Sequence, residues 1–298
     1  MAHRKTTRNP LFAGRWFEDE IILLCLRWYF RFKLSYRDLV QILSERGVVI
    51  SHSTILRWVV RYAEACEKRW RRFERPVGGS WRADETFIKV RGQLMYLYRA
   101  VDDQGNTVEF HLSRTRGIAA AKAFFRKALK HHREPHSITL DGHRPSHSAL
   151  RRMGMNGEFN FRGPKPVKVR CCQYLNNIVE QDHRRVKLRL QPMLGFKSFY
   201  NTRRVIIGIE LAQKIHKDQF AIPGRFGSNP AVICVKYWLL KSQNGRPVSL
   251  TERQIIGHSY LHQNPGDGRF GNVCAFLRSF REYHCANIRS QTTRLRNI

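Results

Sequence analysis

Three segments in the first quarter of the chain carry apolar residues at every third or fourth position, a spacing that predicts amphipathic helices. The first covers Glu18–Phe32. The second opens at Ser35, a favourable N-cap, and stops at Gly47. The third starts near Ser51 or Ser53 and turns its apolar residues towards a core. The opposite, polar face of this third helix carries four residues: His52, Thr54, Arg57 and Arg61.

Three short helices of which the last is basic are typical of a helix-turn-helix domain. In that motif the last helix enters the major groove of DNA, and its first residues reach the edges of the bases. The pattern therefore makes the polar face of the third helix a candidate DNA-binding surface. An ordinary helical bundle with exposed arginines has the same pattern, so the helices alone leave both interpretations open.

The pattern changes after Pro76–Ser80, a segment of proline, glycine and serine that predicts a domain boundary. Beyond it, apolar and polar residues alternate with a period of two, which predicts strands. The predicted elements are strands over 83–90, 94–101 and 107–112, a helix over 118–130, strands over 137–140 and near 167–171, and a helix over about 177–190.

An antiparallel three-stranded meander followed by alternating helices and strands has the element order of the ribonuclease H-like fold. The sequence therefore predicts an α/β ribonuclease H-like catalytic core over residues 76–220. This core is preceded by an all-α helix-turn-helix domain over residues 1–75.

Three acidic residues fall on the elements of this core where catalytic carboxylates converge. Asp84 lies on the first strand, Asp141 directly follows the fourth, and Glu180 lies on the late helix. Converging carboxylates bind hard divalent cations through oxygen. Two such ions, about 3.5–4 Å apart, activate a nucleophile on one side of a phosphodiester and stabilise the leaving oxygen on the other. These residues are the predicted catalytic residues and metal ligands.

Each carboxylate also has a purely structural interpretation. Asp84 is compatible with a polar residue at the start of a strand, and Asp141 with a turn that it forms with Gly142. Glu180 has the spacing of a capping box with Asn177. Singly, each structural interpretation is as good as the functional one. The three acids together, in the expected order on the expected elements, favour the metal site.

Two basic residues extend the predicted site along the late helix. Lys187 and Arg184 follow Glu180 by seven and four residues, which places them two turns and one turn along the same face. They are candidates to hold the DNA backbone, although both are also compatible with surface charges. The other acids of this region are predicted to be structural: Asp182, on a different side of the helix, and Asp102 and Asp103, at a hairpin turn.

The net charge supports a nucleic-acid partner. The 298 residues include 54 Lys and Arg against 23 Asp and Glu, a formal net charge of +31. Solubility needs a net charge of only about 2–8, so a folded chain of this charge is expected to bind a polyanion, by default nucleic acid. The sequence has no apolar stretch as long as a membrane span and no secretory signal, which predicts a cytoplasmic, nucleoid-associated protein without a membrane partner.

The remaining features add no chemistry. The seven cysteines contain no C-x-x-C pair, which argues against a disulfide framework and a zinc ribbon, and reduced, mostly buried thiols are expected. Two histidines and two cysteines near the end, His258, His262, Cys274 and Cys285, fit no zinc spacing. Residues 221–298 are an unrecognised basic extension that is expected to be poorly ordered.

Several motifs carry a family resemblance that extends over residues 11–220. They include Ser35-Tyr36-Arg37-Asp38-Leu39, His52-Ser53-Thr54-Ile55-Leu56-Arg57-Trp58-Val59, Ala83-Asp84-Glu85-Thr86, Asn176-Asn177-Ile178-Val179-Glu180-Gln181-Asp182-His183 and Leu194-Gly195-Phe196-Lys197-Ser198. With these motifs the chain resembles the DDE transposases of bacterial insertion sequences, in particular the IS-six family of small replicative transposases.

The resemblance implies a catalytic triad of Asp84, Asp141 and Glu180 and a downstream basic residue at Lys187. It also implies cleavage of double-stranded DNA at terminal inverted repeats and direct transfer of the resulting 3′ hydroxyls to target DNA. It implies, too, that no covalent enzyme intermediate forms. The implied cofactor is Mg²⁺, with two ions bound and Mn²⁺ as a substitute, and the implied assembly is a homodimer or higher oligomer.

One position departs from the family pattern: Gly142 stands where many members have lysine, so a phosphate contact from that position is absent. Two other interpretations stay open at this point. One is a non-enzymatic DNA-binding regulator, and the other is a catalytically inactive transposase relic.

Overall fold

The computed structural model describes residues 10–142, 144–160, 166–172, 176–191, 193 and 195–221. The helices in these ranges are α1 (Asp19–Arg31), α2 (Tyr36–Ser44), α3 (His52–Arg71), α4 (Ile118–His131), α5 (Arg144–Met155), α6 (Asn177–Leu190) and α7 (Phe199–His216). The strands are β1 (Ser80–Val90), β2 (Gln93–Asp102), β3 (Thr107–Ser113), β4 (Ser137–Leu140) and β5 (Lys168–Cys171). The C-terminal extension lies outside the described residues from 222 onwards, as do its histidines and cysteines.

The strands form one mixed sheet in the order β3-β2-β1-β4-β5. The first three strands are antiparallel neighbours, whereas β4 runs parallel to β1 and β5 runs parallel to β4. This is the strand order of the ribonuclease H-like fold and confirms the predicted fold class of the core.

The two faces of the sheet belong to two apolar clusters. Trp81 and Ala83 of β1 pack with α4 and α5 on one face. Ile88 and Val90 of the same strand pack on the other face, in a cluster that also includes residues of α1, α2, α3, α6 and α7. Because successive side chains of a strand point to opposite faces, the alternation along β1 decides which residues face α6. Asp84 belongs to the face of Ile88 and Val90.

The amino-terminal helices share this second cluster with the sheet. The long helix α7 packs against α3, α1 and β3, so the apolar faces of the helical region and of the catalytic core meet on it. Gly208 of α7 lies directly against α1, because an added Cβ would stand 2.2 Å from the Phe30 ring. The proposed boundary near residue 75 thus separates elements that are packed in one apolar cluster.

Local sequence signals explain several element ends. Ser35 and Asp38 form a capping box at the start of α2, in which each side chain accepts a hydrogen bond from the other residue's backbone N–H. The β1–β2 turn consists of Arg91 and Gly92, both with positive φ (52° and 78°), which matches the twist of a two-residue hairpin. These signals were readable in the sequence, and the predicted strands and helices of this part agree with the observed ones.

Two helices were not located from the sequence: α5, which the fold order implied without identifying its residues, and α7. The cysteine expectation was met in part, since Cys25 and Cys66 are buried but Cys171 is exposed and Cys172 is half-buried. In the described part of the chain, every helix is too short or too polar to cross a membrane.

Candidate active site

The sheet register brings two of the predicted catalytic acids side by side. The last register pair between β1 and β4 is Ala83 with Leu140, so Asp84 and Asp141 follow it on adjacent parallel strands. Residues paired in this way point to the same face of a sheet. Ala83 and Leu140 are buried against α4 and α5. Asp84 and Asp141 therefore lie on the opposite face, where α6 packs.

The third acid, Glu180, is exposed in the first turn of α6, a helix that packs over β1 and β2. The helix begins after Asn176, whose side chain makes no capping hydrogen bond. A capping box between Asn177 and Glu180 is therefore not formed, and the structural interpretation of Glu180 in the sequence is wrong.

The charges of the other two acids act on Asp84. Burial raises the pKa of Asp84 to about 7, against the opposing effect of a hydrogen bond with the Glu85 backbone. The negative charges of Asp141, Glu85 and Glu180 raise it further. A carboxyl group that shares a site with other carboxylates binds a proton tightly unless a cation replaces it.

The donor set fits a hard divalent cation, because it consists of carboxylate oxygens. Within the described residues, however, no three acidic, histidine or cysteine side chains stand close enough together to hold an ion as they are placed. Like charges repel, so carboxylates that share an ion are expected to lie further apart in its absence. Asp84, Asp141 and the exposed Glu180 are the side chains that would close around it.

His183 contacts the site and was missed in the sequence. Its Nδ1 lies 3.5 Å from Oδ2 of Asp84. Burial lowers the pKa of His183 to about 3, with a further decrease from the charge of Arg99, so the ring is neutral at pH 7. A neutral ring with its proton on Nδ1 points a donor at Asp84 without adding a competing cation. The i, i+3 spacing from Glu180 was the available sequence signal.

Arg99 is the second residue that the sequence did not reveal. It stands directly opposite Asp84 in the β1–β2 register and is fully buried. Its guanidinium nevertheless pairs with other acids: Nε donates to Glu210 Oε1 at 2.7 Å, and Nη2 donates to Asp182 Oδ2 at 2.6 Å. Lys217 adds a second cation to Asp182 at 2.8 Å.

This charge network has two consequences. Asp182 is buried in ion pairs with Arg99 and Lys217, which agrees with the structural role predicted for it. The pairing of Asp182 also fixes α6 to β2 and α7 only two residues after Glu180, so it sets the position of the helix that carries the third acid.

The predicted basic residues of α6 are both exposed. The charge of Lys187 contributes to the low pKa of His183, which places Lys187 within electrostatic range of the ring that contacts Asp84. Arg184 lies on the same helix one turn from Glu180. At the other hairpin, Asp102 accepts hydrogen bonds from the backbones of Gly78, Gln104 and Asn106, which agrees with the structural role predicted for it.

The predicted DNA-binding residues form a separate group on α3. His52, Arg57 and Arg61 are exposed, and Thr54 is half-buried and shares a hydroxyl contact with the N-cap residue Ser51 at 2.9 Å. The buried face of α3 packs in the shared apolar cluster. The polar face predicted from the sequence is therefore on the surface.

Comparison with known proteins places the chain in a family. Residues 78–219 match a family model described as a DDE domain. The transposase for insertion sequence-like element IS431mec of Staphylococcus aureus is 33% identical over 206 residues, which cover 69% of this chain and 88% of that protein. The transposase for insertion sequence element IS257 in transposon Tn4003, from the same species, is 32% identical over equal shares.

Two solved structures are similar to parts of the chain. The HTLV-2 integrase catalytic core domain in complex with magnesium (trimeric form) has a TM-score of 0.34 and 13% identity, over 45% of this chain and 86% of that one. The simian T-cell lymphotropic virus intasome in complex with PP2A regulatory subunit B56 gamma has a TM-score of 0.36 and 12% identity, over 72% of this chain and 74% of that one.

With this sheet order and these relatives, the chain is a DDE transposase of bacterial insertion sequences. Within that class it belongs to the family of the IS431mec and IS257 transposases, the IS-six family. The DDE domain implies the use of a divalent metal ion.

Proposed function

We propose that this transposase binds the terminal inverted repeats of its insertion sequence and catalyses metal-dependent strand cleavage and strand transfer there. Asp84, Asp141 and Glu180 serve as catalytic residues and hold Mg²⁺, with two ions bound and Mn²⁺ able to substitute. The observation that carries the proposal is the β1–β4 register, which places Asp84 and Asp141 on adjacent strands of the face covered by α6, the helix of Glu180. The raised pKa of Asp84 agrees with it.

The protein groups around the acids have distinct tasks in this mechanism. When bound, divalent ions activate the attacking water or 3′ hydroxyl and neutralise charge on the leaving oxygen. Lys187 and Arg184, exposed on the helix of Glu180, hold the phosphate backbone of the strand that is cut. His183 keeps the carboxylate of Asp84 oriented through its Nδ1.

The DNA ends are recognised by α3 in the manner of a helix-turn-helix. His52, Thr54, Arg57 and Arg61 on its outer face contact the terminal repeat, while the net charge of +31 attracts both the element ends and target DNA. Joining two ends requires a homodimer or a higher oligomer in the complex. A protein with these partners acts on the bacterial nucleoid in the cytoplasm.

Strand cleavage by acid-to-amide variants tests the proposal. Asp84→Asn and Glu180→Gln are expected to abolish nicking and joining of a labelled duplex that carries the terminal repeat, with Mg²⁺ or Mn²⁺ present. Both variants should bind the duplex as well as the unchanged protein does, since the basic residues remain. Glu158→Gln is the matched control, because Glu158 pairs with Arg126 on the surface.

Cleavage by Asp84→Asn at the wild-type rate would show that the site is assigned incorrectly. Loss of cleavage in Glu158→Gln as well would mean that amide substitution itself damages the protein. An unchanged protein that binds the repeat but never cuts it would support a regulator or an inactive relic.

A further inference from the structure

An arginine outside the catalytic motifs is held by the acid that directly follows Asp84 on β1. Arg116 lies in the loop between β3 and α4, and its Nε donates to Oε1 of Glu85 at 2.7 Å. A second contact joins its Nη2 to the same oxygen. The Glu85 side chain is only 2% exposed, whereas the Arg116 side chain is 39% exposed. A buried acid thus fixes a cation that remains accessible to solvent.

A second neighbour restricts the same guanidinium. Its Cζ lies 5.8 Å from the centroid of the Phe87 ring. Glu85 and Phe87 are two residues apart on β1 and so lie on one face of the strand. A free surface arginine must lose rotamer freedom when it binds a ligand, but Arg116 has already lost much of it.

The position of Arg116 relates it to the catalytic acids. Glu85 directly follows Asp84 on β1, and beyond Ala83 this strand has no further register pair with β4. Asp141 follows the end of β4 at the same level, and its negative charge is one of those that act on Arg116. Glu85 and Phe87 share the face of Trp81 and Ala83, so the guanidinium lies at the level of the acids, across the edge of β1 that β4 leaves unpaired, and not on the face of Asp84.

We propose that Arg116 contacts a phosphate of the DNA strand next to the phosphate that is cut, with Glu85 as its positioning residue. The proposal rests on the proposed function of the carboxylate site. A guanidinium presents planar N–H donors that match phosphate oxygens, and its delocalised charge is never lost at neutral pH. In this arrangement Glu85 orients the donors while Arg116 supplies the charge that the strand needs beside the metal-binding acids.

Binding to the terminal-repeat duplex, measured by fluorescence anisotropy at several salt concentrations without divalent metal, tests the proposal. A lost phosphate contact makes the slope of log K against log salt less steep by about 0.9. We expect this change for Arg116→Ala and a preserved slope for Arg116→Lys, which keeps the charge. Arg126→Ala is the matched control, because Arg126 is an exposed arginine of α4 paired with Glu158.

A scan with neutral methylphosphonates locates the contact. Neutralising one phosphate beside the cleaved position should weaken binding of the unchanged protein and leave binding of Arg116→Ala unaffected. The proposal would be overturned if Arg116→Ala and each methylphosphonate near the cleaved position weakened binding independently, so that their effects add. An unchanged salt slope in Arg116→Ala would overturn it as well. Because both readouts measure binding, an inactive protein that passes them would contradict the proposed reaction but not the phosphate contact.

Discussion

At the level of single residues, Asp84 is held in a place that disfavours its charge. It is half-buried and stands among three other acids. Arg99, its partner in register, is paired with Asp182 and Glu210 instead of with Asp84. A fold that only needed a polar residue there would gain stability from a neutral one. A bound divalent cation would offset the burial and the negative charges around Asp84. The same environment therefore lowers the stability of the metal-free protein and favours metal binding.

We expect Asp84→Asn to stabilise the metal-free protein at pH 8. The native pKa of Asp84 is raised from 3.8 to about 7, so its contribution to stability is largest below pH 4 and is lost as the pH rises through this window. At pH 8 the native carboxylate carries the full penalty, up to about 4 kcal/mol, and the amide removes it. Urea unfolding at pH 4 and pH 8 measures the difference.

Magnesium and a second variant complete this test. Millimolar Mg²⁺ should stabilise the unchanged protein at pH 8 and have little effect on Asp84→Asn. Asp102→Asn is the control for a structural acid: it weakens hydrogen bonds to three backbone N–H groups and should destabilise the protein at pH 8. If Asp84→Asn is destabilised in the same way, the carboxylate is structural.

The sequence indicates the three acids but not the residues that contact or position them. Asp84, Asp141 and Glu180 could be proposed from the sequence because each lies on or directly after an element that the sequence predicts. His183, Arg99 and Arg116 could not, because their roles depend on which strand residue each one faces after folding. A buried arginine such as Arg99 has no periodicity of its own, and only the β1–β2 register places it opposite Asp84.

At the level of elements, the amphipathic helices were predictable and the buried one was not. The helices α1, α2 and α3 each have one apolar stripe, so their period is visible. From Val205 to Leu211, α7 is buried on all sides. The apolar run Val205–Ile209 within it is compatible with a buried strand as well as a helix. Gly208 within this run also lowers helix propensity, although the close packing of Phe30 requires it.

The outer face of α3 gives a prediction at this scale. Arg57 and Arg61 are exposed one turn apart in the N-terminal half of α3. In a helix-turn-helix, the N-terminal part of this helix enters the major groove. Arg57→Ala and Arg61→Ala should each weaken binding to the terminal repeat by about 1–3 kcal/mol if they contact bases. Affinity for the repeat and for an unrelated duplex, measured in parallel, separates base contacts from backbone contacts.

Lys68 provides the matched control, because it is exposed on the same helix in its last turn. Lys68→Ala should leave the ratio of specific to unspecific affinity unchanged. If the two arginine variants also leave this ratio unchanged, α3 is a helix of an ordinary bundle and the terminal repeat is read elsewhere on the protein.

At the level of the whole molecule, the apolar cluster around α7 includes residues of both regions that the sequence predicts to be separate domains. A linker of proline and glycine predicts a boundary near residue 75, and the local sequence does not indicate that the two regions share a core. The structure packs α1 and α3 against α7, and α7 also packs against β3. The proposed DNA-binding helix α3 is thus joined through α7 to the sheet that carries the proposed catalytic acids.

Gly208→Ala tests whether this connection makes the described part of the chain one cooperative unit. An added Cβ would stand 2.2 Å from the buried Phe30 ring, so α1 and α7 must separate, at a cost of about 1–3 kcal/mol. If the shared cluster unites the two regions, hydrogen-exchange protection of α3 and of β1 should fall together. Gly117→Ala is the control, since its Cβ would meet nothing within 4 Å and its φ of −171° suits any residue.

Loss of protection in α3 alone would instead show that the helical region unfolds by itself. The boundary near residue 75 would then separate two domains in energy as well as in sequence.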